Sequence, residues 1–150
     1  MRLEDAIHQP KFRSSHERAL INIIYTASFL SQQATQVLRP HGISMQQFNI
    51  LRILRGLKGQ PATVKLLTER MLDKMSNASR LVEKLKQKGL VIRQECESDR
   101  RRVDIFITEA GIEAVEHATD DLDHKMAEYL DNLSPEEAGL LGDLLDKMRG

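Results

Sequence analysis

Cysteine is nearly absent from this 150-residue chain: only Cys96 is present, and there is no tryptophan. A single cysteine excludes an internal disulfide, so the fold must rest on its core, and it suits a reducing compartment. Long hydrophobic runs are also missing. The longest apolar stretch, residues 19–30, is broken by Asn22, Thr26 and Ser28, short of the roughly 18–20 apolar residues that read as a membrane helix. The first residues, MRLEDAIHQP, lack the apolar segment of a secretory signal. A cytoplasmic protein with no membrane contact is expected. Catalytic signatures are missing too: there is no glycine-rich phosphate loop, no G-x-S-x-G and no H-E-x-x-H. Cys96 has no base beside it, and the flanking Glu95 and Glu97 would raise its pKa. Neither an enzyme nor a cofactor is expected.

Net charge is the last absence, and it conceals a division. Lysine and arginine together equal aspartate and glutamate at 22 each. Residues 1–64 hold eight basic and three acidic residues, and residues 65–103 hold eleven and six. Residues 104–150 hold three and thirteen. A basic region followed by an acidic third suits a chain that meets a polyanion with one face and holds the other away. With 41% hydrophobic residues, a chain of this length is expected to form one domain over 1–150 with a sizeable core.

Residues 74–111, KMSNASRLVEKLKQKGLVIRQECESDRRRVDIFITEAG, are the most telling. Ala78, Leu81, Val82 and Leu85 repeat at helical spacing and make one apolar stripe. Ser76, Asn77, Ser79, Arg80 and Lys84 occupy the polar side, and Ser76 or Asn77 suits the N-cap. Gly89 suits a left-handed helix stop. Leu90-Val91-Ile92 then reads as a strand, Glu97-Ser98-Asp99-Arg100 as a turn, and Val103, Ile105 and Ile107 as period-two strand positions. Upstream, Val64, Leu67 and Met71 mark a short helix over 63–71, joined to the next through Leu72-Asp73-Lys74. Two short helices followed by a basic hairpin fit a winged helix-turn-helix, whose second helix enters a groove of duplex DNA.

The order and spacing of several motifs resemble the MarR family of winged-helix transcriptional regulators, over roughly residues 14–150. Asp99-Arg100-Arg101 followed by Thr108-Glu109-Ala110-Gly111 is similar to the family's D-x-R…L-T-x-x-G wing signature, with Ile107 where leucine is usual. Gly42-Ile43-Ser44-Met45-Gln46-Gln47-Phe48, Ser79-Arg80-Leu81-Val82 and Leu85-Lys86-Gln87-Lys88-Gly89-Leu90-Val91 are further points of likeness. The resemblance implies a mainly α fold with a small β-wing. A winged helix-turn-helix over about 44–110 would read double-stranded DNA. Helices at about 14–40 and 112–150 would interlock with a second copy.

Local signals agree with that division. Ser14-x-x-Glu17 and Ser44-x-x-Gln47 have the spacing of capping boxes. Pro40, His41 and Gly42 stop the first long helix, and the second runs through about Leu57. Ile112, Val115, Ala118, Leu122, Met126 and Tyr129 form a long stripe near heptad spacing. Ser134-Pro135-Glu136-Glu137 opens a last helix, with Leu140, Leu141, Leu144, Leu145 and Met148 on one side. About six helices and a two- or three-stranded wing are expected.

In that frame Ser76, Asn77, Ser79 and Arg80 are candidate base or phosphate contacts. Asn77 suits adenine and Arg80 suits guanine. Lys65, Lys74, Lys84 and Lys88 are candidate phosphate contacts. The resemblance marks Arg101 as the wing arginine of the minor groove, with Asp99 bracing it and Arg100 and Arg102 meeting the backbone. It also implies a crevice for a small anionic or aromatic effector, for which Tyr25, Phe29, Arg39, His41, Met45 and Phe48 are candidate lining. A metal site is not expected; His41, Glu116, His117 and Asp121 are the residues that would form one. A homodimeric repressor on a pseudo-palindromic operator is the reading that results. Its alternatives are a winged-helix protein-interaction module, or a metal- or redox-responsive regulator.

Overall fold

A computed structural model describes residues 1–150 and contains seven α-helices and one hairpin. The helices are α1 (Leu3–Ala6), α2 (Ser15–Leu38), α3 (Met45–Gly56), α4 (Val64–Arg70), α5 (Ala78–Gln87), α6 (Glu109–Leu130) and α7 (Pro135–Arg149). Strands β1 (Val91–Cys96) and β2 (Asp99–Ile107) pair antiparallel, and a 3₁₀ turn (Arg39–His41) joins α2 to α3. The short α1 has no counterpart in the expected six helices. Its Leu3 is buried, and Glu4 clamps Arg18 of α2.

Side-chain oxygens start most of the helices, because the first-turn N–H groups have no partners within the helix. Ser44 accepts from Gln47 N–H while Gln47 Oε1 accepts from Ser44 N–H, and Ser134 and Glu137 do the same for α7. The other expected box, at the start of α2, closes differently. Ser14 accepts from Glu17 N–H, but the Glu17 carboxylate takes the N–H and guanidinium of Arg13 instead of the Ser14 N–H.

Sixteen buried residues form one cluster, from Leu38 at the end of α2 to Ala118 in α6. Leu54, Leu67, Leu85 and Ile105 are at its centre, each at most 1% exposed. Helices α3, α4 and α5 thus share a core with the hairpin and with the first half of α6. A vestigial third strand completes the sheet, since Ala62 and Ile105 exchange both backbone hydrogen bonds, at 2.9 and 2.8 Å.

The junction of α5, wing and α6 explains why the T-x-x-G stretch has the residues it has. Gly89 (φ +74°) ends α5. Its N–H returns to Lys86 O at 2.9 Å and Leu90 N–H to Leu85 O at 3.0 Å, a Schellman stop. Thr108 then ties the end of the hairpin to that stop: its hydroxyl donates to Gly89 O (2.7 Å) and accepts from Gly111 N–H (3.0 Å). The first turn of α6 is thereby pressed onto Leu90. A Cβ at position 111 would overlap the Leu90 carbonyl and the Ile107 side chain, so only glycine fits there.

Candidate nucleic-acid interface

The turn between α4 and α5 is longer than its sequence implies. Met71–Asn77 lies outside both helices, so the expected link through Leu72-Asp73-Lys74 is extended and α5 starts later than Lys74. Tertiary anchoring permits the extra length. Met71 is buried, and Leu72 N–H donates to Asn49 Oδ1 of α3 at 2.9 Å. Asp73 organises the remainder, accepting from Met75 N–H through Oδ1 (2.9 Å) and from Ser76 N–H through its carbonyl (3.2 Å).

Of the two residues suited to cap α5, Asn77 does so: its Oδ1 accepts from Arg80 N–H at 3.1 Å. The oxygen that would accept from adenine is therefore engaged within the helix, while the amide nitrogen has no partner in the chain. Ser76 is turned inward, its hydroxyl oxygen buried with no hydrogen-bond partner, which removes it from the exposed face. Ser79, Arg80 and Lys84 are exposed on one side of α5, opposite buried Ala78, Val82 and Leu85. Arg80, Lys84, Asn77 and Met75 border a shallow basin of about 330 Å³ together with Gln46 of α3. Gln46 is not among the sequence candidates. Nothing in its local pattern indicates that α3 and α5 meet there.

Two of the candidate phosphate lysines are committed within the protein. The Lys74 ammonium donates to the Glu69 carbonyl at the end of α4, one of the carbonyls a helix leaves unpaired. Lys88 donates to Gly42 O (2.5 Å) and to Gln47 Oε1 (2.9 Å), bracing the end of α5 against the α2–α3 corner. Lys65, exposed in the first turn of α4, has no such partner.

The wing presents its arginines through a break in the hairpin. Glu95 pairs with Val103, but the next residue, Cys96, pairs with Asp99. Residues 100–102 therefore have no partner on β1, and all three arginines bulge into solvent. Asp99 braces the bulge by accepting from Arg101 N–H at 3.0 Å. Arg102 is held by Asp104 at 3.0 Å, which partly neutralises it. Arg100 and Arg101 carry their charge free.

Cys96 differs from expectation. Its thiol shares a hydrogen bond with Ser98 Oγ at 3.1 Å. That bond, with the N–H groups of Ser98 and Asp99, pulls its pKa down rather than up. These hydrogen bonds to the thiolate outweigh the upward pull of burial and of the Asp104 carboxylate, while Glu95 and Glu97 are exposed on the hairpin.

The other candidate groups separate in space. Phe48 is a core residue, 7% exposed, since it falls on the inner side of α3. Phe29 packs edge-on against Tyr129 of α6, centroids 5.1 Å apart, and the Tyr129 hydroxyl donates to Gln33 Oε1 at 3.0 Å. Tyr25 and Met45 are half-buried and Arg39 is exposed. His41 Nε2 meets Asp121 Oδ2 at 2.7 Å, linking the α2–α3 corner to α6. Glu116, instead of joining them, pairs with Arg55 of α3 at 3.3 Å. No group of three metal-ligating side chains forms, and His117 stands apart from the His41–Asp121 pair. No helix is long and apolar enough to cross a membrane.

Comparison with known proteins agrees with this geometry. Residues 41–102 match the MarR family model, spanning the α2–α3 corner to the third wing arginine. The HTH-type transcriptional regulator MhqR of Bacillus subtilis (strain 168) is 29% identical over 108 residues, 72% of this chain and 73% of that protein. AbsC, a MarR family transcriptional regulator from Streptomyces coelicolor, superposes with a TM-score of 0.79 at 25% identity, covering 93% of this chain and 95% of its own. The organohalide-sensing regulator RdhR in its 2,4-dichlorophenol-bound form shares the fold at a TM-score of 0.81 and 23% identity, covering 91% of this chain and 81% of its own. The matched helix-turn-helix and wing, and a fold shared over nine-tenths of its length, make the chain similar to the winged-helix transcription regulators of the MarR family.

Proposed function

We propose that the protein is a cytoplasmic, homodimeric repressor of a pseudo-palindromic operator, released by a small aromatic or anionic effector. The observation that carries the DNA reading is a set of four exposed cations without acidic partners. Arg80 and Lys84 lie on the outer face of α5, and Arg100 and Arg101 lie on the wing bulge. Unpaired cations on a groove-sized helix and an adjoining loop have the charge and spacing to displace counterions from duplex DNA. Arg80 is the candidate base reader, Ser79, Lys84, Lys65 and Arg100 the phosphate contacts, and Arg101 the minor-groove contact.

The terminal helices support the dimer. Helix α7 has no buried residue, and Leu140, Leu141, Leu144 and Met148 are 47–59% exposed. On α2, Leu20 and Ile24 are likewise 47% and 60% exposed. Apolar surface of this extent on two terminal helices calls for a second copy. Two-fold symmetry would set the α5 helices about one DNA turn, ~34 Å, apart. For the effector, the support is likeness to a regulator that binds 2,4-dichlorophenol. A ligand seated between α2, α6 and the DNA lobe could shift the spacing of the α5 helices, provided it prefers one spacing.

The test is fluorescence anisotropy on duplexes from upstream of the protein's own gene, with scrambled competitor and stepped salt. The expected result is nanomolar binding that resists competitor, falls steeply with log salt and weakens with 2,4-dichlorophenol or a related phenol. Weak, sequence-indifferent binding there and to duplexes selected from a random pool would overturn the operator reading and favour a protein-interaction role.

A further inference from the structure

Met75 is the most solvent-exposed large apolar side chain after the terminal Met1, at 93%. Its surroundings make that exposure unusual. The turn that carries it is fastened at every step: Leu72 N–H to Asn49, Met75 N–H and Ser76 N–H to Asp73, and Arg80 N–H to Asn77. Buried Met71 and Ala78 pin its two ends. Met75 is thus held outward by a built turn, and holding an apolar side chain in water gains nothing for folding. It borders the basin at the start of α5 together with Asn77, Arg80 and Lys84, and with Asp73 and the half-buried Leu81. The apolar group therefore stands beside the two α5 cations that would receive DNA.

One apolar feature is offered by DNA where a helix start enters it: the C5-methyl group of thymine in the major groove. We infer that Met75 is a specificity-determining residue that packs its flexible thioether side chain on a thymine methyl of the operator. The inference rests on the DNA-binding reading above. A long, polarizable, unbranched side chain suits a methyl group whose position varies slightly between half-sites. Neighbouring Leu72 is also exposed, at 76%, but it does not border the basin, so the assignment falls on Met75 alone. The charge around Met75 also favours a polyanion over an apolar protein partner, since Arg80 and Lys84 would be left buried and unpaired against such a surface.

The experiment uses the full-length protein and a duplex selected by it from a random pool. Each thymine is replaced in turn by deoxyuridine, which removes only the methyl group. Wild-type protein should lose about fourfold in affinity at one thymine per half-site, the worth of one buried methyl. Met75→Ala, which removes the contact from both half-sites, should bind the thymine duplex about as weakly as wild type binds a duplex carrying uracil at both positions, and should no longer distinguish thymine from uracil. Its salt dependence should equal that of wild type, because no charge is removed. Leu72→Ala should keep the full distinction. Both positions are exposed, so neither variant should unfold. Indifference of wild type to every thymine-to-uracil change, or retention of the distinction by Met75→Ala, would overturn the assignment. A selected duplex that binds well but shows no methyl effect refutes Met75 alone. Failure of any duplex to be selected, even at low salt, refutes the DNA-binding reading and Met75 with it.

Discussion

Helices α3 and α7 are of similar length and open with the same Ser-x-x-Gln/Glu device, yet one is the centre of the core and the other touches it hardly at all. In α3, Phe48, Ile50, Leu51 and Leu54 are buried, together with Gln47 and Asn49. In α7, five apolar side chains line one side, but only Leu145 is even half-buried. Helix formation is therefore a local matter in both cases, and covering the apolar side is not. Helix α3 finds its cover within the chain, from α5, α6 and β2. Helix α7 has none there, and its apolar side is the part of this molecule that most needs a partner.

Truncating one leucine in each helix should separate the two most strongly. Leu54→Ala should cost about 2–5 kcal/mol in urea denaturation, because the vacated volume lies in a close-packed core. Leu144→Ala should cost about 0.5 kcal/mol or less at nanomolar protein, and more as concentration rises into the dimer range. A cost for Leu144→Ala that is independent of concentration would remove the case for a second copy on α7.

Next in size is the junction of the DNA lobe with α6. Gly111→Ala should lower stability by about 1–3 kcal/mol, since the new methyl group meets a backbone carbonyl that cannot rotate away. Gly139 and Gly142 of α7 have open space around the same position. Alanine there should be neutral or slightly stabilising in the monomer by helix propensity. A thermal melt of the three variants compares a packed helix start with an uncovered helix.

Within the DNA lobe, α5 and the wing should fail differently. Arg101→Ala should weaken binding about tenfold across unrelated sequences and reduce the salt slope by about one. Asn77→Ala should cost about 1 kcal/mol of stability through its lost cap, with sequence preference changing only if the free amide nitrogen also meets a base. Unchanged affinity for Arg101→Ala at low and high salt would remove the wing from the interface.

The smallest effect belongs to α1. The guanidinium of Arg18 holds the Glu4 carboxyl down to about 2, from 4.5. A depressed folded-state pKa stabilises above the unfolded value and is lost as pH falls through the folded one. The melting temperatures of wild type and Glu4→Gln should therefore differ slightly above about pH 5 and converge as the pH falls toward 2.

Much of this was legible in the chain. The starts of α3 and α7, the glycine stop of α5 and the presence of a hairpin after it all depend on residues within a few positions of one another, although β1 runs on to Cys96 and the turn is only residues 97–98. Short-range hydrogen bonds and side-chain spacing decide them, so a linear reading reaches them. The exposed face of α5 followed from the same periodicity. Asn77 and Ser76 were equally suited to cap the helix, and Asn77 took the position because Ser76 is drawn inward by the anchored turn.

The six longer helices, most of their caps and the basic stretch that becomes a winged helix-turn-helix follow from the sequence read locally. Which charges remain available follows from long-range packing. Lys88 is committed to Gly42 and Gln47, more than forty residues upstream. Glu116 is spent on Arg55 and His41 on Asp121, 80 residues away, and Phe48 disappears into the core. The same folding leaves Arg80, Lys84, Arg100 and Arg101 unpaired and holds Met75 into water. Pairing and burial depend on which distant segments meet, and no local pattern of residues records that.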